Sequence, residues 1–80
     1  MNERDLILAH LFQKVRDFPE PEDHPTSSRQ LALDTQLSLE QVLSLCQELA
    51  EEGFLSLSPL SSPPLVYLTI TGVARARRLR

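Results

Sequence analysis

Two helix-start signals stand eleven residues apart in this chain, Ser27-x-x-Gln30 and Ser38-x-x-Gln41. In this pattern the serine side chain accepts an orphan amide of the first helical turn, while the glutamine reaches back to the serine's own amide. Each such box fixes where a helix begins. The spacing leaves room for about two and a half helical turns, carried by Leu31, Ala32 and Thr35, and then for a tight turn around Gln36 and Leu37. The middle of the chain is therefore predicted to be two short helices, about 28–36 and about 39–52, joined with almost no connection.

The flanks follow from periodicity. Asn2 is placed to cap a first helix over about 3–18, with Glu3 and Asp5 at its positive end. Ile7, Leu8, Leu11, Val15 and Phe18 form one apolar stripe with Phe12 on its edge, whereas Leu6 falls on the other side with His10 and Asp17. Leu6 reads either as an ordinary exposed leucine or as a contact in a dimer. Pro19 stops this helix, and residues 19–26, polar and with three prolines, read as an extended connector. The third helix sorts cleanly. Leu39, Val42, Leu43, Leu45, Cys46, Leu49 and Ala50 share one sector; Glu40, Gln41, Ser44, Gln47, Glu48 and Glu51 share the other. Gly53 terminates it. Residues 54–70 read as a β-hairpin with a long proline-rich tip, and about 71–80 as a last helix, capped by Thr69 or Thr71 and carrying Val73, Ala76 and arginines. The fold class expected is α+β, mainly helical.

Eighty residues suit one domain that buries about 60–65% of its unfolded surface. No apolar run approaches the roughly 20 residues of a membrane span, and Met1-Asn2-Glu3-Arg4-Asp5 lacks a basic leader start, so a cytoplasmic protein is expected. The lone Cys46 precludes an internal disulfide and suits a reducing compartment. Asp23, His24 and Ser27 lie together on a loop that would orient nothing for catalysis, and His10 and His24 lack ligand partners at metal spacing. No enzyme activity, metal or cofactor is expected. Charge is unevenly distributed. Residues 1–53 hold all eleven acids against Arg4, Lys14, Arg16 and Arg29, while residues 54–80 hold Arg75, Arg77, Arg78 and Arg80 with no acid.

The order helix, helix-turn-helix, hairpin, helix resembles the winged helix-turn-helix domain. Leu31-Ala32 through Leu37-Ser38 and Val42 to Leu45 looks like its helix-turn-helix. Leu49-x-x-x-Gly53-Phe54-Leu55 looks like its join from recognition helix to first wing strand. Tyr67-Leu68-Thr69-x-x-Gly72 is similar to the start of the last helix in MarR-type and PadR-type bacterial regulators. The resemblance implies a dimeric transcriptional regulator that binds duplex DNA. Base contacts would fall to Gln41, Ser44 and Gln47, and phosphate contacts to Ser28 and Arg29. Three features depart from the pattern. Gln36 stands where glycine is favoured, the exposed side of the third helix has Glu40, Glu48 and Glu51 but no cation, and the wing tip is uncharged.

Two functions are therefore expected from different classes. The first is a DNA-binding regulator, using the residues just named together with Arg75, Arg77 and Arg78 against the phosphate backbone. The second is a protein-interaction module, a subunit or adaptor that binds no DNA and uses Leu57, Leu60 and Leu65 of the wing with Glu40 and Glu48 of the third helix. Phosphate neutralisation supplies most non-specific DNA affinity, so the sign of the third helix bears directly on the choice.

Overall fold

Asn2 opens helix α1 (Glu3–Val15) by accepting the Asp5 amide at 2.8 Å, and Ile7, Leu8, Leu11 and Val15 on its inner side are buried. These contacts belong to a computed structural model that describes residues 2–79; Met1 and Arg80 lie outside the described residues. The helix ends three residues sooner than the apolar spacing predicts. Pro19 disfavours helical geometry at Phe18, and the Phe18 amide makes only a turn-type bond to the Val15 carbonyl, 3.0 Å. Phe18 therefore leaves the stripe: it is 45% exposed, and its ring stacks on His24 with centroids 3.9 Å apart.

Residues 19–26 are more structured than a connector. Pro21–Asp23 form a 3-10 turn with Pro21 buried, and Thr26–Ser27 form a short strand, β1. Ser27 then caps α2 (Ser28–Thr35) by accepting the amides of Arg29 and Gln30. The return half of that box is absent, because the Gln30 amide group donates to Asp34 at 2.9 Å instead. At α3 (Leu39–Glu51) both halves form, with the Gln41 amide on Ser38 and the Ser38 amide on Gln41, each 3.1 Å. Between the helices Gln36 adopts the left-handed conformation, φ 62°, where glycine is the unstrained choice. A non-glycine residue there costs about 1–2 kcal/mol. The neighbouring Thr35 steadies the turn by donating to the Leu31 carbonyl at 2.7 Å and accepting the Leu37 amide at 3.4 Å.

After α3 the chain forms β2 (Leu55–Ser58), β3 (Leu65–Leu68) and α4 (Ile70–Arg77). The described residues thus make an α+β fold, mainly helical, with four α-helices and a three-stranded antiparallel sheet in the order β1-β3-β2. Leu55 pairs with Leu68 and Leu57 with Val66, while Thr26 faces Val66 from the other edge. The central strand sends Val66 and Leu68 into the same core as Leu31 of α2, Val42, Cys46 and Leu49 of α3, and Val73 and Ala76 of α4.

One junction sets how the hairpin leaves α3. Gly53 ends α3 with φ 85°, and Thr69 donates its hydroxyl to the Gly53 carbonyl at 2.6 Å while accepting the Gly72 amide at 3.0 Å. Gly72 lies so close to the Phe54 backbone that a Cβ there would fall 1.7 Å from the Phe54 carbonyl oxygen, whereas a Cβ on Gly53 would meet nothing within 4 Å. The two glycines are therefore required for different reasons, one for backbone contact and one for φ. Gly72→Ala is expected to cost about 3 kcal/mol by overpacking, against about 1 kcal/mol for Gly53→Ala. Urea denaturation of the two variants checks the order; equal losses would contradict it.

Candidate functional site

Burying Val42, Cys46 and Leu49 of α3 turns its opposite side outward, and Glu40, Gln41, Ser44, Gln47, Glu48 and Glu51 are all exposed there. This surface carries three carboxylates and no cation. The chain passes directly from it into the hairpin, with the Phe54 amide bonded to the Leu49 carbonyl at 3.0 Å. From Phe54 to Ile70 there is no charged side chain. Leu57 and Leu65 are half-buried on the strands, and Leu60 at the tip is 94% exposed. An acidic helix face and an uncharged hairpin with one bare leucine thus follow each other along the chain.

Ser28 does not join that surface. It is fully buried, and its hydroxyl donates to the Pro64 carbonyl at 2.7 Å, with its amide bonded to the same oxygen at 3.4 Å. The expected phosphate contact is therefore corrected to a structural one: Ser28 anchors the far end of the hairpin tip to α2. The sequence could not show this, because its partner lies 36 residues away. Arg29, next along the helix, is exposed, and no hydrogen bond or ion pair among the described residues engages its side chain.

The other cations are drawn towards α1. Arg4 of α1 pairs with Glu52 just after α3, Lys14 with Asp34 at 2.7 Å, and Arg75 of α4 with Asp5 at 3.9 Å. Arg77 lies over the Phe12 ring with its guanidinium carbon 5.8 Å from the centroid. Arg78 is exposed. Because α4 packs on α1 and β3 whereas α3 packs on α1, α2 and β2, the C-terminal arginines are not gathered with Gln41, Ser44 and Gln47. Arg80, the last of the tail arginines, lies outside the described residues.

Among the described residues, Asp34, Glu20 and Cys46 titrate away from their ordinary values. Hydrogen bonds from Lys14 and then Gln30 hold the Asp34 carboxyl below the usual carboxylate range. Glu20 is raised by its hydrogen bond to Asp23 and by the charges of Asp23 and Glu22. Burial pushes the Cys46 thiol up to about 12. A thiol so placed is nearly all protonated at neutral pH and behaves as a core side chain. Among the described residues no group of three His, Cys, Asp or Glu side chains could hold a metal, and no helix is long and apolar enough to cross a membrane.

Comparison with protein-family models, with curated proteins and with solved structures gives no match.

Two outcomes follow. Ser28→Ala is expected to cost about 1–2 kcal/mol, the price of a lost buried hydrogen bond, and to speed amide exchange in β3. Arg29→Ala should stay within about 0.5 kcal/mol of the parent. Equal stability of the two variants would contradict the assignment of Ser28 to the hairpin anchor. Asp34 has a depressed folded pKa, so its contribution to stability is present above the ordinary carboxylate range and is lost as pH falls through the folded value. In Lys14→Ala, the NMR titration midpoint of Asp34 should move up; an unchanged midpoint would show that Lys14 is not the cause.

Proposed function

We propose that the chain is a winged helix used as a protein-interaction module, with α3 and the hairpin (the wing) as its docking face. The observation that carries this reading is the sign of the exposed α3 side. Glu40, Glu48 and Glu51 are exposed there with no lysine or arginine beside them on the helix. Set in a major groove they would stand near phosphates, and like charges at such range repel. A wing lacking cations would add nothing to offset this. Protein partners impose no such penalty. A leucine 94% exposed on a proline-bounded tip can fill an apolar pocket, and the flanking carboxylates can select a basic rim around it. The winged-helix assignment itself rests on element order, on the Gly53-Phe54 and Thr69-x-x-Gly72 junction, and on the tight turn at Gln36.

One observation favours the alternative, a DNA-binding regulator acting as a homodimer. Arg29 is exposed in the first turn of α2, and Gln41, Ser44 and Gln47 are exposed on α3, the positions that the family resemblance assigns to phosphate and base contacts.

Fluorescence polarisation with random-sequence duplex DNA separates the two. The protein-interaction reading expects no saturable association even at low salt. Association at low salt that falls steeply with added salt, and that Arg29→Ala weakens, would overturn it in favour of the regulator.

A further inference from the structure

The apolar stripe of α1 does not account for all its apolar residues. Leu6, Ala9 and Phe12 lie outside the buried set and, with Leu79 beyond α4, floor an open groove of about 710 Å³ between α1 and α4. The rim carries the cations Arg16 and Arg77, with the His10 imidazole beside them. Arg16 and Arg77 both stand over Phe12, their guanidinium carbons 5.9 Å and 5.8 Å from the ring centroid. In a chain with eleven acidic residues against eight basic ones, no carboxylate side chain of the described residues lines this groove.

We propose that this groove binds an acidic amphipathic segment of a partner protein, one that places leucine or aromatic side chains on the floor and carboxylates against Arg16 and Arg77. A guanidinium drawn to an aromatic face still carries N–H donors that a carboxylate can accept. Arg16 spends one such donor on the Gln13 side chain at 3.3 Å, and no hydrogen bond among the described residues uses those of Arg77. Two parallel features, an apolar floor between helices and a cationic rim, match the way an amphipathic helix lies in a groove. A second copy of the same groove is a poor occupant, because face-to-face pairing would oppose Arg16 and Arg77 with their own counterparts. The inference uses no residue of α3 or the wing, so it stands apart from the docking face proposed above.

The test is selection of binders from a displayed library of random 16-residue peptides on the intact chain, followed by affinity measurement of one synthetic winner. The expected winners are enriched in Asp and Glu flanking leucine or aromatic residues. Their affinity should fall at least tenfold in Arg16→Glu/Arg77→Glu, fall with added salt, and stay within twofold in Glu48→Lys/Leu60→Ser. Circular dichroism melts confirm that the charge-reversal variant folds; should it not, Arg16→Gln/Arg77→Gln gives the same reading with a smaller loss. The proposal is overturned if no binder emerges, if winners lack acidic enrichment, or if they bind the Arg16 and Arg77 variants unchanged. Light scattering that shows a dimer dissociated by those variants would also overturn it, by making a second copy the occupant.

Discussion

The hydroxyl of Thr69 holds two distant pieces of backbone at once, donating to the Gly53 carbonyl and accepting the Gly72 amide. Through it the end of α3, the return strand of the hairpin and the start of α4 become one rigid corner. The contact of Gly72 with the Phe54 backbone closes that corner to a distance only glycine permits. Nearly everything proposed for the surface depends on it, because it fixes the direction in which the hairpin leaves α3 and therefore where Leu60 stands. Ser28 completes the support from the other side by tying Pro64 to α2. The hairpin is thus tied at its base through Thr69 and at Pro64, where its tip returns to β3.

Charge follows the same frame. Core burial selects one side of α3, and the side left over holds Glu40, Glu48 and Glu51. The packing of α4 on α1 brings Arg75 to Asp5 and Arg77 to Phe12. A chain with a net charge of only −3 is in this way divided into an acidic, leucine-tipped side and a cation-rimmed groove. Exposed ion pairs such as these add little stability. In the interactions proposed above their role is partner choice, since complementary charge steers encounter and disfavours wrong partners.

What could be read beforehand was what local chemistry decides. The Ser38–Gln41 box, Ser27, Asn2 and Gly53 mark helix ends through contacts within a few residues, and α1, α2 and α3 begin where the first three of those signals stand. The hairpin expected over residues 54–70 holds both β2 and β3. Two of the misses, the Thr26–Ser27 strand and Ser28, involve partners far apart in sequence, whereas the third, Phe18, is local. Thr26–Ser27 became a strand only because Val66 and Leu65 offered an open edge, and a polar proline-rich string carries no sign of that. Phe18 had the right spacing for the core but was turned out by Pro19 and met His24 instead. Ser28 looked like a helix-start polar group, yet its partner was a proline carbonyl on the hairpin. The groove between α1 and α4 left one trace, Leu6 and His10 on the wrong side of the first helix, and its meaning required the position of Arg77.

The central claim is that the face built by α3 and the hairpin meets protein. It is tested most directly by placing a photo-crosslinking amino acid at position 60 in the cells that make this chain, and identifying the adducts by mass spectrometry. A discrete protein adduct is expected, and it should disappear when Glu40, Glu48 and Glu51 are reversed to lysine. A nucleic-acid adduct at that position, or no adduct at all, would contradict the claim.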